Sequence, residues 1–148
     1  MDEESIKLAK AYFQTMEEDV GKLSQKEQAK VFRTCGRNCV KGYVLPELRK
    51  WLEQSNGDMD LMYEQHADSE YSFYRVIEKG HVYEMGYPKC LCYMYELGFA
   101  NSEVHCECSR QSIIYALQEL FPHKKFQVTT MHTVLGGAKE CRFRIEVE

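Results

Sequence analysis

No stretch of this chain approaches the ~20 consecutive apolar residues that cross a bilayer, so no membrane partner is expected. Positive charge is not in excess either: 19 Lys and Arg stand against 23 Asp and Glu, a formal net charge of −4. A phosphate-binding surface is not advertised, and nucleic acid is not an expected partner. The start, Met1-Asp2-Glu3-Glu4-Ser5, lacks the basic segment and apolar run of a secretion leader, and the sequence predicts a cytosolic protein. Internal repeats, low-complexity tracts and linkers are missing as well. The 148 residues amount to about one domain, large enough to bury roughly two thirds of its unfolded surface without a metal to help it fold.

What the chain has is cysteine. Six of its seven cysteines form three close pairs, Cys35 with Cys39, Cys90 with Cys92 and Cys106 with Cys108, and Cys141 stands alone near the end. In a reducing compartment an odd number of thiols points to free thiols, metal ligands or catalytic groups rather than a disulfide framework. The competing reading is plain burial, because an isolated cysteine packs as a small apolar residue.

Apolar residues at spacings of three and four predict an amphipathic helix over 4–19, ended by Gly21. The acidic residues Glu17, Glu18 and Asp19 read as its solvated end. Ser24 and Glu27 form a capping box for a second helix, predicted to stop at Gly36. Pro46 opens a short third helix closed by Asn56-Gly57, and 58–65 predicts another. Beyond residue 70, aromatic and β-branched runs on either side of Lys79-Gly80 predict a hairpin that Pro88 ends. Residues 91–95 are read as a strand, and Ser109 as the N-cap of a helix carrying Ile113, Ile114, Leu117, Leu120 and Phe121. Phe126 to Val134 and Cys141 to Val147 alternate on either side of Gly136-Gly137, a second hairpin. The expectation is a single α+β domain over 1–148, mostly helical over 1–66 and hairpin-helix-hairpin over 67–148. Its antiparallel sheet, built from the two hairpins, packs against the N-terminal helices and one central helix.

The segments His105-Cys106-Glu107-Cys108-Ser109 and Cys141-Arg142-Phe143-Arg144-Ile145, joined through a helix and the Gly136-Gly137 turn, resemble a known pattern. They are similar to the end of the L-2-amino-thiazoline-4-carboxylic acid hydrolase-like family, and more distantly to vinyl-reductase-type small-molecule-binding domains. Cys90-Leu91-Cys92 and Cys35-Gly36-Arg37-Asn38-Cys39 resemble the first group too. The resemblance implies a small-molecule function on an α+β fold, with ring-opening hydrolysis of a thiazoline amino acid as the activity. It departs from the vinyl-reductase type where that pattern places a further cysteine and this chain has Thr133, beside His132.

Two chemistries follow from the residues. Zinc takes four Cys or His ligands in a tetrahedron, so Cys90, Cys92, Cys106 and Cys108 form a candidate metal set, with His105 or Cys141 as substitutes. Alternatively a cysteine serves as nucleophile when a base or a helix start stabilises its thiolate. Cys108, placed just before Ser109, is the preferred thiol, its pKa expected to fall at the helix start. Cys106, Cys141, His105 and His132 are its candidate catalytic neighbours, Glu103 or Glu107 the assisting carboxylate, and Arg110, Arg142 and Arg144 the cations for a substrate carboxylate. By alternation His132 shares a face with Phe126 and Val128, and a core histidine is the plainer account of it. Tyr74 and Tyr83 are candidate ligand-cavity walls, though sheet aromatics are more often ordinary packing. The expected partner is a small-molecule ligand, with a homodimer through the sheet edge as a further option. The competing class is a non-enzymatic ligand or zinc sensor.

Overall fold

Asp2 accepts the Ser5 amide at 2.8 Å and so caps α1 (Glu3–Gly21), while Ser24 accepts that of Glu27 at 3.2 Å and caps α2 (Gln25–Lys41). Helix α3 (Val44–Gln54) ends where Asn56 and Gly57 take φ of 54° and 77°, the left-handed region that asparagine and glycine enter most readily. Asp58 then caps α4 (Met59–Gln65). Strands β1 (Phe73–Glu78) and β2 (Val82–Tyr87) form the first hairpin. After them come a one-turn helix α5 (Tyr93–Glu96), a 3-10 turn over Glu103–Cys106, α6 (Glu107–Leu120), and strands β3 (Phe126–His132) and β4 (Cys141–Val147). This computed structural model describes all 148 residues.

The four strands make one antiparallel sheet in the order β1-β2-β4-β3, which pairs the two hairpins through β2 and β4. Alternation decides its faces. Tyr74, Tyr83, Met85, Val128, Cys141, Phe143 and Ile145 point inward and share one core with Leu45, Leu48, Met59, Met62, Ile113 and Leu117 from the helices. Phe143 and Ile145 are fully buried on the central strand β4, each contributing about 1.5–3 kcal/mol by leaving water. The expected α+β fold, with helices packed on an antiparallel sheet, is what the chain forms.

The outer face is mostly polar. Phe73 is buried there because its ring lies over Gly86, where a Cβ would collide with the ring, and beneath the Arg142 guanidinium at 4.6 Å. Around it Arg142 pairs with Glu84 and Glu140, and Arg144 with Glu146.

Several expectations are corrected. Gly36 does not stop α2, which runs on to Lys41. Its missing side chain serves the crossing with α6, since a Cβ there would stand 2.8 Å from the Cys108 carbonyl oxygen and 2.8 Å from the Ser112 nitrogen. Residues 91–95 form no strand: Cys92 stands at the N-cap position of α5 instead. Helix α6 begins at Glu107, so Ser109 lies within its first turn and is not its cap. Glu17 is no solvated end but 5% exposed, its carboxylate accepting the backbone amides of Asn101 and Ser102 at 3.1 Å each. That contact moors α1 to the segment that carries His105. No helix of the chain is long and apolar enough to cross a membrane.

Candidate thiol site

All seven cysteines are free. They gather where the end of β2 and the start of β4 meet the 90–106 segment, the second half of α2 and the first turn of α6. Proximity does not make them equivalent. Cys106 and Cys108 stand two residues apart at the start of a helix, so their side chains leave the axis about 200° apart. Cys108 turns toward α2, where Cys39 and Cys35 lie nearby. Cys106 turns the other way, toward the Thr133 hydroxyl. Cys141, on the inner face of β4, accepts the Val134 amide at 3.4 Å.

Burial is the main force on most of these thiols. It pushes Cys106 up to about 12, against a smaller opposing effect of Thr133. Cys108 is raised well above the ordinary thiol value by burial first, then by Cys39 and Cys35. Position at the helix start does not prevail there, which overturns the expected lowering. Cys90 and Cys141 are raised by burial as well.

Cys92 is the exception. Burial alone would raise it, but the nearby His105 imidazole first, then the amides of Tyr95 and Met94, act the other way, and together they bring the thiol below its ordinary value. The imidazole partner is held by apolar walls, its ring edge-on to Phe13 at 5.7 Å and to Phe32 at 5.5 Å between centroids. His105 Nδ1 is buried and has no hydrogen-bond partner. Such a nitrogen costs free energy to keep dry. Three elements set this pair. Glu17 of α1 fixes Asn101 and Ser102 upstream of the 3-10 turn, Phe32 of α2 backs the ring, and Cys92 stands at the N-cap position of α5.

On the far side of the 3-10 turn lies a cleft of about 440 Å³ lined by Gln25, Glu103, Cys106, Thr130, His132 and Thr133 among others. Glu107, also at its wall, is buried and already bound to Arg110 at 2.8 Å, while Arg110 in turn donates to the Val128 carbonyl.

The remaining predicted site residues lie apart. His132 is exposed and meets Glu140 at 3.2 Å, because a register shift between Thr130 and His132 turns it from the inner face of β3. It is neither a core histidine nor a neighbour of the Cys141 thiol. Arg142 is engaged by Glu140 and Glu84, and Arg144 by Glu146, all on the outer face. Tyr74 and Tyr83 pack around Tyr63 in the core, with the Tyr83 hydroxyl donating to Asp60 at 2.6 Å, and neither lines the cleft. No three His, Cys, Asp or Glu side chains converge to hold a metal ion, so the set Cys90, Cys92, Cys106 and Cys108 is not assembled. Cys106 and Cys108 in particular leave the start of α6 on opposite sides, toward different neighbours.

Sequence reasoning grouped Cys92 with the metal ligands and did not pair it with His105, which lies 13 residues on. The only local signal was the placement of Cys92 ahead of Tyr93-Met94-Tyr95, a helical turn misread as a strand. No family model matches the chain, and a search of curated proteins finds no match either.

Proposed function

We propose that the chain acts on a small organic molecule through the Cys92 thiolate, with His105 as its acid–base partner. The observation that carries this reading is the lowered thiol of Cys92 beside an imidazole whose Nδ1 is buried and unpartnered. The resemblance to thiazoline hydrolases supplies a substrate class, a cyclic amidine. In that chemistry Cys92 Sγ adds to the amidine carbon, the C=N electron pair moves to nitrogen, and that nitrogen takes a proton from the His105 imidazolium. The ring opens as the carbon–nitrogen bond breaks: the lone pair of the exocyclic amino group forms a new C=N bond, and the proton it sheds goes to the departing amine. Water then adds across that C=N bond, the new hydroxyl gives its proton to the neutral imidazole as the carbonyl forms, and the Cys92 thiolate leaves, which completes a hydrolysis.

The test is alkylation by iodoacetamide at pH 6.5, followed peptide by peptide in the mass spectrometer. Cys92 is expected to react first, ahead of the exposed Cys35 and Cys39, and His105→Gln to slow it by about tenfold. Labelling of Cys92 no faster than the other thiols, or indifferent to His105→Gln, would refute the assignment. Turnover of 2-aminothiazoline-4-carboxylate that survives Cys92→Ser would refute the mechanism.

A second reading, ligand binding without turnover, draws on the 440 Å³ cleft and its polar wall of Gln25, Glu103, Thr130 and Thr133. A ligand whose affinity falls with Thr130→Val and not with Cys92→Ser would favour it.

A further inference from the structure

Helix α2 carries Lys26, Lys30, Arg33, Arg37 and Lys41, at spacings of four, three, four and four residues. Those spacings put all five cations on one stripe of the helix. All five are exposed, and Glu27 is the only acidic residue of α2. None of the five enters an ion pair, whereas Arg49, Arg75, Arg110, Arg142 and Arg144 each have a carboxylate. In a chain of net charge −4 this is a local reversal of sign that the protein's own acids leave uncompensated. Beside the middle of the stripe, α2 and α6 enclose a groove of about 300 Å³ lined by Arg33, Arg37, Gln111, Ile114, Tyr115 and Gln118. The Arg37 guanidinium is held over the Tyr115 ring, 5.5 Å from its centroid, so one cation of the groove is already oriented.

The stripe extends ~22 Å at a mean step of about 5–6 Å, the rise of three or four helical residues. Carboxylates on one face of a second helix repeat at the same step. We propose that this face of α2 docks an acidic helical segment of a partner protein, with one partner carboxylate entering the groove between Arg33 and Arg37. Guanidinium groups suit that role because each offers a carboxylate two parallel donors. Single-stranded nucleic acid fits less well. It wants open aromatic faces for its bases, and Tyr115, the groove's one aromatic, is covered by Arg37. This docking is independent of the thiol chemistry.

Fluorescence anisotropy on the full chain tests it with three labelled probes. One is an alanine-based helical peptide with five glutamates at the spacing of the stripe, the second a scrambled peptide of the same composition, and the third a uridine oligonucleotide. The patterned peptide is expected to bind at least tenfold more tightly than the scrambled one at about 50 mM salt, and to weaken at about 300 mM. Arg33→Gln with Arg37→Gln should weaken it by tenfold or more, and Lys50→Gln on α3 should leave it unchanged. Arg33→Glu with Arg37→Glu repeats the test by charge reversal, and circular dichroism checks that each variant is folded. Equal binding of the two peptides, tighter binding of the oligonucleotide, or retained affinity in the folded double variants would overturn the proposal.

Discussion

Replacing Gly36 by alanine perturbs one methyl group, and the crossing of α2 and α6 determines its effect. The new Cβ would lie 2.8 Å from the Cys108 carbonyl oxygen, 2.8 Å from the Ser112 nitrogen and 2.9 Å from Gln111 Cβ, where ordinary contact begins at 3.4 Å. Two of those neighbours are backbone atoms of a packed helix, so no flexible side chain can swing aside, and the helices must part by about half an ångström. Overpacking of this kind costs about 1–3 kcal/mol, and alanine recovers about 1 kcal/mol of helix propensity. Because the obstruction is rigid on several sides the upper end applies, and the net loss is about 2 kcal/mol. For a domain of this size that lowers Tm by roughly 5–8 °C. Gly42→Ala is the control: nothing lies within 4 Å of a Cβ there and its φ is −81°, so alanine should be neutral or stabilise by up to about 1 kcal/mol. Urea unfolding followed by circular dichroism measures both variants. A Gly36→Ala protein as stable as the parent would refute the close crossing and, with it, the juxtaposition of Cys39 and Cys108.

Other outcomes follow from buried polar groups. Glu17→Ala leaves the Asn101 and Ser102 amides without their acceptor and should cost about 2 kcal/mol in urea unfolding. It should also slow Cys92 alkylation, because the His105 segment loses its mooring, and an unchanged rate would separate Glu17 from the site. Arg142→Met strips the buried Glu84 of its cation and uncovers Phe73; a loss of about 2 kcal/mol is expected, larger than for Glu84→Gln. Equal losses would show that the pair contributes through packing alone. Stability should also fall at alkaline pH. Burial raises Cys106, Cys108 and Cys141, so above the ordinary thiol value of about 8.5 the unfolded chain has released protons that the folded chain keeps. The folded state then binds more protons, and its stability declines from about pH 8.5 toward pH 12. Under reductant the urea midpoint should drop over the lower part of this range, and Cys106→Val should flatten the slope; a level profile would contradict the burial of these thiols.

Much of the architecture was legible because it rests on short-range periodicity. The stripe of α1, the capping box at Ser24 and the alternation from Cys141 to Val147 each repeat a pattern whose period is that of the element itself. Gly36 misled because glycine marks two different things: a left-handed stop, and a place where another backbone comes close. Local sequence carries the first meaning, and only the position of α6 reveals the second. Likewise Glu17 looks like any acidic helix end until Asn101 and Ser102, 84 and 85 residues away, present their amides to it.

The candidate site divides in the same way. That the chain is an α+β domain, that its thiols fall in pairs and that His105 adjoins one of them are properties of residue order. Which thiol is activated is not, because a thiol pKa depends on what replaces water around the sulfur. Cys108, in the first turn of α6, is raised by burial and by thiols from α2, whereas Cys92 is lowered by a histidine on another segment. Neighbours several elements away make that difference, and the register shift at Thr130 removes His132 from contention. The sequence alone determined which chemical groups are available and the elements that bear them. Tertiary structure decided which are dry, which are paired and which single thiol meets an imidazole, since burial and distance arise only when separate elements pack.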